Sequence, residues 1–288
     1  MRTVPRANDE SDVPYGSFYR SALQRIRQIV AEEYKLKKIS IKFIDVDGSR
    51  LSNPIEISGV TKSGRKIRYF GKIIGNSDVF TFRSIQYLKN VYLQLHDQEP
   101  LFDVFETPKE MAEGQFQTLK AIHRNGIPTA KPYGCYWILG GLWLLMTEYL
   151  NAKPLTVVEK IDSWQLDAVF SSLQKMHKKK IFHGDIKPDN IMIGQKIYII
   201  DVGYLKTKVP KAKKLAYDLA CILCSLLRYH PTDEIIRIAK KHYSLKKLRS
   251  AADYIELIQM RPDIHFTDEM KTNLLFHLSN QPRRGTER

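Results

Sequence analysis

The residues in this chain whose types and spacing fit joint chemistry lie between positions 183 and 203. They read His183-Gly-Asp-Ile-Lys-Pro-Asp-Asn-Ile-Met-Ile193, then Lys196-Ile-Tyr-Ile-Ile-Asp-Val-Gly203. Two short apolar strands, 191–193 and 197–200, are joined at Gly194-Gln195. The pattern predicts a tight hairpin with Gly194 supplying a positive φ. A hairpin puts its two ends side by side. Asn190, just before the first strand, therefore falls near Asp201, just after the second. Asp185 stands five residues before Asn190 on the incoming loop. Three oxygen-bearing side chains thus converge at one end of a rigid ribbon. Asp and Asn oxygens suit Mg²⁺, which takes few protein ligands and leaves positions for phosphate.

The surrounding elements must hold that ribbon in place. Apolar positions from Ser17 to about Tyr34 recur at helical spacing. Alternating stretches at 39–44, 54–60 and 65–74 then predict three strands, with turns at Asp47-Gly48 and Lys62-Ser63-Gly64. The stretch from Phe80 to Leu101 is mixed and fits neither period. Thr107-Pro108-Lys109-Glu110 opens a helix with Thr as N-cap, and Asn125-Gly126 closes it before Pro128. Two more strands follow at 133–138 and 142–148. After Asn151 helices dominate, at 164–179, 214–229 and 233–242. The order predicts an α+β chain: residues 15–148 as a strand-rich lobe with one main helix, and 149–280 as a reduced helical lobe. Residues 1–14 and 281–288 read as loose tails.

Composition narrows the class. The chain has 288 residues, of which 43% are hydrophobic and 27% charged, enough apolar material for two lobes. Three cysteines exclude a disulfide framework, and with no secretory signal they point to a reducing, cytoplasmic setting. Cys221-Ile-Leu-Cys224 sits in an apolar helical run with no second pair, so two buried thiols are expected rather than a metal site. The longest apolar run, Trp137 to Met146, is about half of what a helix needs to cross a bilayer. The net charge of +15 calls for an anionic partner. One basic cluster, Lys206, Lys208, Lys211, Lys213 and Lys214, directly follows Asp201. A second comprises Lys240, Lys241, Lys246, Lys247 and Arg249.

The spacing H-x-D-x-x-x-x-N, then a hairpin, then D-x-G, resembles the catalytic and metal loops of protein kinases. That resemblance implies a bilobal protein-kinase-like fold, an antiparallel sheet beside a helical lobe, and phosphoryl transfer from ATP with Mg²⁺. Asp185 would orient the acceptor hydroxyl and take its proton. Asn190 and Asp201 would hold the metal, and Lys187 would neutralise the γ-phosphoryl. Lys72, central on the third strand, would grip the α/β-phosphates. Its helix partner is assigned to Glu113, although the register places Gln115 where the glutamate should stand. Glu148 and Leu150 would supply the backbone groups that hold adenine, with Thr147 behind it. No G-x-G-x-x-G lies between the first two strands, so Ser49 and Ser52 are the candidates to meet phosphate.

Departures from typical protein kinases sharpen the class. Asp218, in Leu215-Ala-Tyr-Asp-Leu-Ala220, follows Asp201 so soon that no full activation segment fits. Gly184 replaces the usual Arg. These features resemble the compact atypical kinases, the RIO-type enzymes and the lipopolysaccharide sugar kinases among them. The missing peptide shelf fits a small molecule, a sugar or a folded protein surface equally well, and Lys187 in Asp-Ile-Lys-Pro-Asp-Asn, the form typical of Ser/Thr kinases, favours Ser/Thr transfer. An ATP-binding scaffold and an RNA- or ribosome-associated ATPase are the other readings. The 206–214 cluster would face an acidic protein, another phosphate-rich partner or RNA.

Overall fold

Alternation of apolar residues decides which strand face is buried. In the computed structural model, which describes residues 14–44 and 53–279, a five-stranded antiparallel sheet has the order β1-β2-β3-β5-β4. Its strands are β1 (Lys37–Phe43), β2 (Asn53–Val60), β3 (Lys66–Ile74), β4 (Pro132–Trp137) and β5 (Trp143–Glu148). Ile55, Ile57, Leu144 and Met146 point to one face, where Ala22, Ile26 and Val30 of α1 (Pro14–Tyr34) cover them. Ile74 and Leu145 meet the other face, packed with Val79, Met111, Ala112 and Leu119. These last belong to α2 (Asn76–Leu95) and α3 (Pro108–Arg124). The sheet therefore lies between helices, and β3 is held centrally, with Lys72 opposite Pro54 and Leu145.

The N-terminus of α3 forms as its sequence dictates. The Thr107 hydroxyl accepts from the Glu110 backbone N–H at 3.1 Å, and the Glu110 carboxylate accepts from Glu106 N–H at 2.8 Å. By contrast α2, 20 residues long, occupies the stretch whose period was unreadable.

The second lobe packs around α4 (Ser163–Lys178) and α5 (Lys211–Leu226), with α6 (Thr232–His242), α7 (Leu245–Arg249), α8 (Ile255–Gln259) and α9 (Asp268–Ser279) against them. Every side chain from Ala216 to Leu226 is buried, and Cys221 and Cys224 are free thiols among them. A small sheet of β6 (Lys153–Pro154), β7 (Ile191–Ile193) and β8 (Ile197–Ile199) carries the site hairpin. The architecture is the bilobal kinase-like α+β fold that the motifs imply. No helix among the described residues is long and apolar enough to cross a membrane.

One local expectation is corrected. Gly194 is not among the glycines with positive φ. The β7–β8 loop spans three residues, closed by Gly194 N–H to Lys196 C=O at 3.1 Å. Gly194 serves close approach instead: a Cβ there would stand 3.0 Å from Asn151 O and Ala152 Cβ.

Candidate active site

The hairpin does what its ends require. Asn190 donates from Nδ2 to the carbonyl of Asp185 at 2.8 Å and to the carbonyl of Asp201 at 3.1 Å. Its amide ties the two loops together while its Oδ1 remains for a ligand. The backbone N–H of Ile200 donates to Asn190 C=O at 3.0 Å and continues the ribbon. Asp201 sits at φ +51°, in the left-handed region that costs a non-glycine residue energy and recurs at functional positions.

His183 and Asp218 build the floor beneath Asp185. The Asp218 carboxylate on α5 is fully buried and accepts from His183 N–H and Gly184 N–H, both at 2.8 Å. It also meets His177 Nε2 at 3.1 Å. His183 Nδ1 accepts from Asp185 N–H at 3.2 Å, which leaves Nε2–H to donate to Ile200 C=O at 3.0 Å. Burial pushes the His183 imidazole pKa down, so the ring is neutral and its tautomer is set by these two bonds. Gly184 bends the chain at φ +75°, and a Cβ would meet Leu205 Cγ at 2.8 Å. A bulky residue is excluded there.

Lys72 Nζ lies 3.4 Å from Asp201 Oδ2, with the lysine largely covered. Glu113 is elsewhere. It pairs with Lys109 at 3.9 Å on a half-exposed face of α3. Position 113 is two residues from 115, about 200° around a helix, so both cannot face the sheet. Gln115 takes the inward position, buried, with Oε1 lacking a hydrogen-bond partner. The lysine partner assigned to Glu113 is therefore corrected to Asp201. A further carboxylate, Asp78 of α2, lies within the field of Lys72. Burial raises its pKa, while the Gly75 N–H bond at 2.6 Å and Lys72 hold it back.

Around Asp185 the chain gathers four charges, those of Arg261, Lys187, Asp263 and Lys89. Arg261 Nη2 donates to Asp185 Oδ1 at 2.8 Å. Lys187 Nζ pairs with Asp263 Oδ2 at 3.2 Å. Lys89 of α2 is 9% exposed, with its ammonium 5.0 Å from the centre of the Phe102 ring. No carboxylate among the described residues lies within ion-pair reach of it. Burial alone would raise the Asp185 carboxyl, but Arg261, Lys89 and Lys187 hold it below the usual carboxylate range. Lys187 is held above its ordinary value despite burial, by Asp185 and Asp263. Burial and the neighbouring Arg261 push Lys89 down to about 8.

With this geometry in view, the RIO domain matches residues 77–236, more than half of the chain. The chain belongs to the RIO domain family. A RIO domain is an atypical kinase module, and the chain is accordingly an ATP-using phosphotransferase by family. The match spans Asp185, Lys187, Asn190, Asp201 and Asp218 but neither Lys72 nor Arg261. No curated protein matches the chain. Among solved structures, it is similar to a putative fructosamine-3-kinase from Haemophilus somnus, at 12% identity and a TM-score of 0.48, over 91% of this chain and 98% of that one.

The remaining predicted residues fall as follows. Glu148 closes β5 and exchanges contacts with Lys131, whose C=O accepts from Glu148 N–H at 2.8 Å. Leu150 lines a cavity of about 410 Å³ with Arg68, Tyr149, Asn151, Ala152, Lys153 and Ile193. Thr147 is buried behind this edge. Ser49 and Ser52 lie outside the described residues. In the 206–214 cluster, Lys213 pairs with Glu99 at 2.7 Å and Lys214 donates to Thr207 C=O at 3.2 Å, while Lys208 and Lys211 are exposed and Lys206 is half-buried.

Proposed function

We propose that the chain transfers the γ-phosphoryl of ATP, with Mg²⁺, to a Ser or Thr hydroxyl of a protein. The observation that carries this reading is the convergence of Lys72, Asp185, Asn190 and Asp201 on one end of the β7–β8 ribbon. The donor set fits a hard cation. It offers one carboxylate and one amide oxygen, and among the described residues no cluster of three His, Cys, Asp or Glu competes for softer metals.

MgATP supplies the phosphoryl group and the charge neutralisation that makes its oxygens tolerable to one another. Asn190 and Asp201 would offer oxygens to the metal, and Lys72, 3.4 Å from Asp201, would offer its charge to the phosphates. Asp185 holds the acceptor hydroxyl through Oδ2 and takes its proton as the new P–O bond forms. Its depressed pKa keeps it ionised and therefore able to accept. Lys187 offers its charge where the γ-phosphoryl passes. Positioning and electrostatics carry the reaction, as phosphoryl transfer requires.

The lobe boundary is placed between Glu148 and Tyr149, with 15–148 binding nucleotide and 149–280 carrying the catalytic loop. Lys206, Lys208 and Lys211 are assigned to an acidic or phosphate-rich acceptor surface. The free cysteines fit a reducing, cytoplasmic setting.

Incubation with labelled ATP and Mg²⁺, with and without candidate proteins or RNA, tests the reading. Label on Ser or Thr supports it, and Asp201→Ala abolishes that label. Turnover unchanged in Asp201→Ala overturns the site. The buried Gln115, with its unpaired oxygen, favours a second reading, an ATP-binding scaffold. Tight nucleotide binding with no transfer to any acceptor identifies that case.

A further inference from the structure

Arg261 lies on the link between α8 and α9, beyond the residues that the RIO domain matches. Its side chain is 5% exposed, and every guanidinium nitrogen is engaged. Nε donates to Asp263 Oδ1 at 2.9 Å, and Nη2 donates to Asp263 Oδ2 at 2.9 Å and to Asp185 Oδ1 at 2.8 Å. Nη1 reaches the Tyr217 hydroxyl at 3.3 Å and Cys221 Sγ at 3.7 Å. Asp263 Oδ2 in turn receives Lys187 Nζ at 3.2 Å.

Neutralising a buried guanidinium needs only one carboxylate, and Asp263 already supplies a two-pronged one. The other N–H of Nη2 goes to Asp185. It commits Oδ1 of that residue to the protein and stops the carboxylate from rotating. Oδ2, 3.4 Å from Asn190 Nδ2, is left for an incoming hydroxyl. The same planar group anchors Lys187 through Asp263. One guanidinium therefore fixes the proton acceptor and the phosphoryl-facing lysine relative to each other.

We propose that Arg261, acting with Asp263, is a positioning residue for phosphoryl transfer. The role rests on the reading given under Proposed function. In the step it serves, the acceptor oxygen bonds to the γ-phosphorus and its proton passes to Asp185 Oδ2. The P–O bond to the β-phosphate breaks, and its electron pair leaves with ADP. Arg261 touches none of the reacting atoms. It holds Asp185 so that the proton and the phosphoryl group arrive in line.

The test uses the full chain and compares the wild type, Arg261→Met, Arg261→Lys, Asp185→Asn and the double variant Asp185→Asn/Arg261→Met. The readouts are kcat for transfer from labelled ATP, affinity for a non-hydrolysable ATP analogue with Mg²⁺, and thermal unfolding. Arg261→Met is expected to lower kcat by roughly 100-fold, the cost of a misplacement near 1 Å, with analogue affinity unchanged. Arg261→Lys restores charge but not the fork, and falls in between. In the Asp185→Asn background, Arg261→Met costs nothing more in kcat, because its effect passes through Asp185. The unfolding midpoints of the four-member cycle are non-additive in the same way.

Arg261→Met strands two carboxylates and risks failing to fold. Arg261→Lys and the double variant keep charges balanced better and then carry the test. A folded Arg261→Met chain with wild-type kcat overturns the positioning role, as does a loss that multiplies with that of Asp185→Asn. A wild-type chain that binds the analogue but transfers nothing overturns the proposed function and this role together. Transfer by the wild type that Arg261→Met leaves intact overturns this role alone.

Discussion

Replacing Lys89 by methionine is expected to make the protein more stable. Lys89 keeps its ammonium largely inside the molecule, with the Phe102 ring 5.0 Å away and no carboxylate in ion-pair reach among the described residues. Its pKa falls from 10.5 to about 8, chiefly because burial penalises the charged form and secondly because of Arg261. At about 1.36 kcal/mol for each pKa unit, the ammonium costs about 3 kcal/mol of folding free energy at neutral pH. Methionine has a similar length and removes that cost, but loses the ring contact, worth about 1 kcal/mol. The net gain is about 2 kcal/mol, a rise in unfolding midpoint of about 4–8 °C for a chain of this size.

The pH dependence has a fixed sign. Between about pH 8 and 10.5 the unfolded chain holds the Lys89 proton and the folded chain does not. Wild-type stability therefore gains from Lys89 as pH rises through that window. The cost is fully present below about pH 8 and gone above 10.5. Other groups titrate in the same range, so the useful quantity is the difference between the two proteins. Thermal or urea unfolding of both at pH 7, 8, 9 and 10 should show the advantage of Lys89→Met shrinking steadily above pH 8. A variant less stable at pH 7, or a gap that does not change with pH, would refute the placement of that ammonium.

Two further substitutions report on the floor of the site. Asp218→Ala strands the His183 and Gly184 N–H groups and is expected to cost about 3 kcal/mol or more, with loss of transfer, measured by unfolding and labelled-ATP turnover. Gly184→Ala demands φ +75° of a residue with a Cβ and drives that carbon onto Leu205. About 1–3 kcal/mol of stability should be lost, and turnover should fall with it; a variant with wild-type unfolding and turnover would contradict the backbone described here.

Much of the site was legible because its spacing is local. Asp185, Asn190 and Asp201 are joined by a hairpin that any reader of alternating isoleucines can draw. Asp218 announces itself by standing in an apolar helix that follows Asp201 closely. The sheet was legible for the same reason, since Ile55 and Ile57 alternate with Glu56 and Ser58. Helix α2 was not, and its residues explain why. Asp78, Gln86 and Lys89 are buried, while Phe80, Tyr87, Leu88 and Leu95 are exposed. A helix with polar residues inside and apolar ones outside has no clean periodic signature. Arg261 gave no signal either. It reaches Asp185 across 76 residues of chain, and nothing near either position marks the meeting. The turn at Gly194 was drawn with the wrong backbone because glycine meets close packing as well as positive φ.

The chain that leaves Asp201 is stitched to the segment ahead of α3. Asp103 N–H donates to Tyr204 C=O at 3.0 Å, and Lys206 N–H to Leu101 C=O at 3.0 Å. The Tyr204 ring stacks on Phe105 with centroids 4.3 Å apart. Swinging this segment out would forfeit both bonds and the stack, about 2–4 kcal/mol together. At that cost the displaced form makes up only a few per cent of molecules or less. The seam leaves the protein nothing to cock or release between Asp201 and α5. It rests in the assembled arrangement, with this segment already seated against the stretch ahead of α3.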